Sequence, residues 1–328
     1  MHGITTNITD KGQSPDSAWK HRLNGCSKRP VCKKRQGGYA FVSPPACFCG
    51  KTWESCGNII PMRIIQTAVG KNQVPLTGYL QDFTQDGGIR NIRPTVVICP
   101  GGGYRFRSER ERDPVALHFL SMSYNVFILD YSVQKNASSL NPLIEASEAI
   151  VKIREHAVEW MCDPHGIAIM GFSAGGHLAA SLAVLHDHAR LAELTDTKGG
   201  LNRPDAAILC YPVISTKEEI CHKESADWVS GGSEEDRKLL SLEDQVTETS
   251  VPCFIWHTVT DASVPVENSM HFASALKAKD IPFALHLFTE GNHGLSMCNH
   301  EVGTPHQGCQ AWVGLCSTWL NDRFEHEL

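Results

Sequence analysis

From residue 94 onward, short apolar runs alternate with segments of helical period, and this alternation limits the possible architecture more than any other feature of the chain. The runs TVVICP (95–100), NVFILDYSV (125–133), GIAIMGF (166–172), AAILCYPVI (206–214), VPCFIWHTV (251–259) and PFALHLF (282–288) are apolar almost throughout. A strand with one wet face would alternate polar and apolar residues, so these strands are covered on both faces, as in a parallel sheet between two layers of helix. Segments 113–124, 141–161, 177–192 and 269–280 read as the helices. In 141–161 the apolar residues Leu143, Ala146, Ile150, Ile153, Ala157 and Trp160 step by three and four. Asn141-Pro142 suits an N-cap followed by Pro at the first helical position. Two alternating segments, MRIIQTAV (62–69) and VPLTGYLQDF (74–83), precede this series and read as further strands. The expected fold class is α/β: a doubly wound, mostly parallel sheet with helices on both faces. Residues 215–250 break the rhythm with polar and charged sequence. They leave the carboxyl edge of the sheet, where ligands bind, so they read as a short lid insertion, with irregular padding as the alternative.

Size and charge narrow the function. The chain has 328 residues with 41% hydrophobic and 20% charged, which suits one large α/β domain plus an appendage and excludes collagen, coiled coil or bulk disorder. Residues 1–61 carry nine Lys and Arg against three Asp and Glu, leaving 21 against 33 in the rest. An acidic body repels nucleic acid and anionic membrane, so neither is an expected partner. No apolar run reaches the roughly 18 residues of a membrane span, and the first 30 residues lack the apolar stretch of a secretory signal. Five of the 13 cysteines (Cys26, Cys32, Cys47, Cys49 and Cys56) lie within 1–61, with no Cys-x-x-Cys pair, so this basic Cys-rich segment reads as a poorly ordered extension rather than a zinc knot. Cys99, Cys210 and Cys253 fall in strand-like runs where a thiol acts as a small hydrophobe, and a reducing, cytoplasmic compartment is expected. The catalytic domain is expected over 62–328, and Met62 is a candidate native start; the intact mass of protein from its source would decide that point.

The chemistry concentrates in three places. Gly171-Phe172-Ser173-Ala174-Gly175-Gly176 stands between a strand and a helix and matches the G-x-S-x-G nucleophile elbow. There a serine sits in a strained turn, and the N–H of Ala174 faces a developing oxyanion. A Gly-rich turn whose Ser only caps the helix is the bland alternative. Pro100-Gly101-Gly102-Gly103-Tyr104 follows the strand 95–100, where Gly102 and Gly103 supply the other oxyanion N–H groups because only glycine lets the backbone approach a substrate oxygen closely. A phosphate loop lacks its Lys-Ser/Thr ending here. A serine hydroxyl also needs a general base and an orienting carboxylate. His293, on a Gly-flanked loop after the last strand, is the expected base, and Asp261, in the turn after strand 251–259, the expected acid. His177 lies one helical turn past Ser173 and is expected to pack on the sheet. His257 lies within a strand, and His186 and His188 read as polar positions near a helix end. Asp130 precedes the nucleophile, and Glu267 belongs to the following helix.

The blocks PGGGY with Ser108, Arg110 and Glu111, LDYS (129–132), IAIMGFSAGGHLAASL (167–182), HTVTDASVPVENS (257–269) and GNHGLS (291–296) together resemble the bacterial acetyl esterases of the α/β-hydrolase fold, including acetylxylan-esterase-like enzymes. The likeness covers roughly 62–325. It implies a serine esterase that removes short acyl groups, acetyl foremost, from sugar hydroxyls, with no metal or organic cofactor. Pro100 stands where the lipase-type HGGG motif has His, which argues against the hormone-sensitive-lipase branch. Tyr104, Arg105 and Arg107 either shape the substrate site or form a solvated charged segment. Arg110 and Glu111 pair with each other or with local backbone. Trp228, the large aromatic of the lid, either stacks on a sugar or packs the lid onto the body. The rival functions are a serine peptidase of the same fold, a general short-chain carboxylesterase and a non-catalytic binding scaffold.

Overall fold

A fully apolar strand finds partners on both sides and helices on both faces, and the chain satisfies this with one sheet. The computed structural model describes residues 62–82, 90–303 and 305–325. The extension expected over 1–61 lies outside them. The strands are β1 (Met62–Val69), β2 (Val74–Gln81), β3 (Arg93–Cys99), β4 (Asn125–Leu129), β5 (Cys162–Phe172), β6 (Ala206–Cys210), β7 (Cys253–Thr258) and β8 (Phe283–Phe288). They lie in the order β1-β2-β4-β3-β5-β6-β7-β8. The β1–β2 and β2–β4 pairs are antiparallel and the remaining pairs parallel.

The helices are α1 (Asp113–Ser121), α2 (Asn141–Glu155), α3 (Ala157–Trp160), α4 (Ala174–Leu185), α5 (Ala189–Leu194), α6 (Lys223–Ser230), α7 (Glu234–Leu239), α8 (Glu267–Ala278) and α9 (Gln307–Phe324). Strand side chains alternate between two cores. Val97, Phe127, Ile169, Leu209 and Ile255 pack with residues of α2, α4 and α8. Val96, Val126, Met170, Ile208 and Phe254 pack with residues of α1 and α9. Every residue of α4 is buried, so this helix is apolar all round and shows no single stripe. The insertion 215–250 folds into α6, α7 and a 3-10 turn at Leu242–Asp244.

Three expected helix features differ. The segment 141–161 breaks at His156, whose Nδ1 bonds Lys152 O at 2.9 Å and whose ring stacks on Trp160 at 4.5 Å. The N-cap of α2 is Leu140 in the left-handed region (φ 57), while Asn141 sits inside the first turn and its amide donates to Asn136 O at 2.9 Å. The segment 177–192 divides at residues 186–188, where His188 caps α5 by accepting from Arg190 N, and His186 is buried rather than a solvated polar position. The 18 residues of α9 escaped the periodicity because both termini of the helix are polar and its buried positions are Cys309, Trp312, Val313, Cys316, Ser317 and Leu320.

The helix α9 is seated by Trp312, whose indole stacks on Trp256 of β7 at 5.2 Å and 16° and donates Nε1–H to Ser296 O at 3.0 Å. Trp312→Ala leaves a large cavity and an unpaired carbonyl in this layer. The expected loss of stability is about 3–5 kcal/mol, read as a lowered urea midpoint at an unchanged slope.

Candidate active site

The site grows from the junction of β5 and α4. Ser173 adopts φ 54 and ψ −116, a conformation that costs free energy unless the surroundings impose it. Its N–H donates to Cys210 O at 3.0 Å and its carbonyl accepts from Val213 N at 3.1 Å, so the end of β6 and the segment just after it clamp the turn on both sides. The flanking glycines are forced by space: a Cβ on Gly175 would strike the carbonyl oxygens of Cys99 and Pro100, and one on Gly171 would strike the Gly175 carbonyl.

Two loops at the same sheet edge bring the partners. His293 Nε2 lies 2.7 Å from Ser173 Oγ, and its Nδ1 lies 2.6 Å from Asp261 Oδ2. The structure thus gathers Ser173, His293 and Asp261 into one hydrogen-bonded series. Asp261 Oδ1 accepts the N–H groups of Ser263 and Val264 at 2.8 and 3.0 Å. Behind it stands His257, whose Nε2 lies 3.3 Å from Asp261 Oδ2 and 3.1 Å from Val264 O, while Nδ1 meets Ser269 Oγ at 2.8 Å. Both Nε2 neighbours are acceptors, so Nε2 carries the proton. Burial pushes the Asp261 carboxyl up, but hydrogen bonds from His257 and His293, the His293 charge and the Val264 N–H outweigh it and hold the group well below the usual carboxylate range. Asp130 is engaged elsewhere, by Arg112 and Arg107, and Glu267 opens α8.

The loop after β3 faces Ser173. Gly102 holds φ 125 and Gly103 φ 66. Among the described residues no group accepts the N–H of Gly102, Gly103 or Ala174. The N–H of Gly101 is used: it donates to Glu111 Oε2 at 2.8 Å. Glu111 is only 2% exposed. Its Oε1 accepts from Tyr211 O–H at 2.7 Å, and Tyr211 Oη accepts the Ser296 N–H at 2.8 Å. The Tyr211 ring also meets His293 edge-on at 5.1 Å. One buried carboxylate therefore ties the glycine loop to the loop that carries His293. Of the two pairings the sequence allowed for Glu111, local backbone is the one found, and its link to Tyr211 100 residues away left no trace in the sequence.

An open cavity of about 190 Å³ leads to Ser173, lined by Gly102, Gly103, Arg105, Phe106, Ser108, Arg110, Glu111, His222, Glu224, Ser263, His293 and Gly294. Two residues expected to touch substrate are not part of it. Tyr104 is 1% exposed, with its hydroxyl 2.9 Å from His177 Nδ1; the left-handed backbone at φ 57 turns the ring into the core beneath the glycine loop. His177 itself is buried and held between that hydroxyl and Leu240 O at 3.0 Å. Trp228 packs against the core shared by α2 and α4, so it seats the lid. Arg107 donates to Tyr131 O at 2.8 Å and braces Asp130. No three His, Cys, Asp or Glu side chains are grouped to hold a metal among the described residues.

Geometry of this kind can activate a hydroxyl, hold the resulting imidazolium and receive an oxyanion. A family model described as BD-FAE matches residues 82–276, more than half of the 328. The chain belongs to the BD-FAE family. It is 40% identical over 216 residues to endo-1,4-beta-xylanase B of Butyrivibrio fibrisolvens, covering 64% of this chain and 33% of that protein. It is 28% identical over 206 residues to an acetylxylan esterase of Xylanibacter ruminicola, covering 61% of this chain and 40% of that one. The chain therefore spans well under half the length of these curated relatives. Among solved structures, an acetyl ester-xyloside bifunctional hydrolase from Caldicellulosiruptor lactoaceticus superposes with a TM-score of 0.66 at 31% identity, over 81% of this chain and 98% of that one. The sheet order, the elbow after β5 and the chain order of the site give this BD-FAE member the α/β-hydrolase fold.

The lowered carboxyl of Asp261 gives a stability test. A depressed folded-state value contributes stability that is complete above the unfolded value of about 3.9 and is lost as pH falls through the folded one. The stability gap between wild type and Asp261→Asn is therefore expected to be widest near neutrality and to shrink as pH drops below about 4, measured by urea titration at each pH.

Proposed function

We propose that this chain is a serine carboxylic-ester hydrolase that removes short acyl groups, acetyl foremost, from acetylated sugars such as xylo-oligosaccharides. The observation that carries the reading is the series Ser173, His293 and Asp261 beside three N–H groups with no acceptor. In this mechanism Ser173 Oγ attacks the ester carbonyl while its proton passes to His293 Nε2. Asp261 holds the imidazolium through Nδ1–H. The tetrahedral oxyanion takes the N–H groups of Ala174 and of Gly102 and Gly103, each worth about 3 kcal/mol. His293 then protonates the departing sugar oxygen, an acyl-serine remains, and a water activated by the same histidine releases the acid. The chemistry calls on no metal or organic cofactor.

Support for a small acyl group on a polar alcohol comes from the cavity, where Phe106 is the one large apolar side chain among arginines, histidines, serines and carboxylates. The printed activities of the acetylxylan esterase and of the acetyl ester-xyloside hydrolase point the same way. The catalytic body in this reading is 62–328. No described helix is long and apolar enough to cross a membrane, and residence in the cytoplasm, drawn from cysteine usage, belongs to the proposal.

The test compares p-nitrophenyl acetate, butyrate and octanoate with acetylated xylo-oligosaccharides. Acetate is expected to be preferred, with acetate released from the sugar, and Ser173→Ala is expected to abolish both while leaving the fold intact. Preference for octanoate moves the assignment to a general carboxylesterase, and turnover of peptides but not esters to a peptidase. Glu111→Gln replaces one of the two carboxylate acceptors that tie the Gly101 N–H to the Tyr211 hydroxyl. It is expected to lower kcat on the acetate ester by about 10- to 100-fold, more than it moves KM.

A further inference from the structure

We infer that the first turn of α6 forms a subsite for the alcohol half of the substrate, in which His222 Nε2–H donates to one hydroxyl of a sugar and the Glu224 carboxylate accepts from a neighbouring one. The inference rests on the esterase reading and assigns the polyol recognition within it.

Both side chains line the cavity that opens on Ser173, and both stand against the glycine loop. From the Cβ direction of Gly103, Glu224 Oε2 is 3.4 Å away and His222 Cε1 3.6 Å. A group bonded to the acyl carbon at Ser173 therefore meets this turn of the lid as it leaves the loop. The proton on His222 is placed by its neighbours. Nδ1 accepts the Ser225 N–H at 3.3 Å and lies 2.9 Å from Ser225 Oγ, which leaves the proton on Nε2. Among the described residues nothing pairs with that Nε2–H. Burial pushes the His222 imidazole down from its ordinary value and the nearby His293 charge pushes it further, so the ring is neutral at physiological pH and its Nε2 is a fixed donor.

Glu224 supplies the complementary acceptor. Its Oε1 lies 3.5 Å from Arg105 Nη1, and the Arg105 guanidinium lies over the Phe106 ring at 5.5 Å from the centroid. An alkyl alcohol gains nothing from a donor and a carboxylate placed side by side and leaves both desolvated without a partner. A vicinal diol satisfies both, and sites built to bond a substrate hydroxyl reject analogues that lack it far more strongly than apolar pockets discriminate size. Phe106, 49% exposed at the same mouth, offers the flat apolar surface that the sequence suggested for Trp228.

The experiment measures kcat/KM for acetylated xylobiose, cyclohexyl acetate and p-nitrophenyl acetate with wild type, Glu224→Gln and His222→Asn. Asparagine keeps a side-chain acceptor at the cap of α6 while removing Nε2–H. Wild type is expected to favour the sugar ester over cyclohexyl acetate, and each variant to lower the ratio of sugar to aryl ester by about tenfold. Should His222→Asn fail to fold, Glu224→Gln decides alone, because its side chain is 42% exposed and its ion pair lies at the surface. A wild-type ratio in Glu224→Gln, whether rates on both esters hold or fall together, overturns the subsite while leaving the esterase intact. Loss of Ser173-dependent release from p-nitrophenyl acetate in the wild type overturns the esterase reading and the subsite with it.

Discussion

How closely the first turn of α4 approaches the end of β3 decides what the carboxyl edge of this sheet can hold. The carbonyls of Cys99 and Pro100 lie where any side chain at Gly175 would stand, and the Gly175 carbonyl lies where one at Gly171 would stand. That contact brings the glycine loop against Ser173, where the N–H groups of Gly102, Gly103 and Ala174 have no acceptor among the described residues. The strain at φ 54 is offset by the hydrogen bonds to Cys210, at the end of the neighbouring strand, and to Val213 just beyond it.

Around that fixed point the surrounding loops are tied to one another rather than to the sheet alone. Glu111 joins the glycine loop to Tyr211, and Tyr211 joins both to the backbone after His293. On the far side of His293, Asp261 takes bonds from two imidazoles and two backbone N–H groups. A carboxylate so surrounded is charged and immobile before any substrate arrives, which is the preorganisation that a polar reaction coordinate requires.

The apolar runs and the elbow were legible because each answers to a local rule: period, steric need for glycine, or chain order. Each sheet strand overlaps its run, but β4 and β6 end at Leu129 and Cys210, four residues short of theirs, and β3 and β5 begin early, at Arg93 and Cys162, which pair across a register shift before the apolar stretch. Ser173, Asp261 and His293 could be named because position after a strand is readable from sequence. Tyr104 and Trp228 could not be placed, since the direction of a side chain on a loop or lid depends on packing that no period encodes. The contact of Glu111 with Tyr211 was hidden for the same reason, because a buried polar contact between segments 100 residues apart is invisible in one dimension. His257 is near Asp261 in the chain, but nothing in its strand sequence shows its ring turning to that carboxylate. The helix α9 was missed because cysteines and a serine fill buried positions where aliphatic residues would have marked its face.

The hydrogen bond between Ser173 and His293 spans 120 residues, and β6, β7 and β8 lie between its ends in the chain. Contacts so distant in sequence form only after the loop-closure cost of the intervening elements has been met, late in folding. On the esterase reading, turnover requires this long-range contact, so it is a more demanding gauge of complete assembly than helical content or compactness.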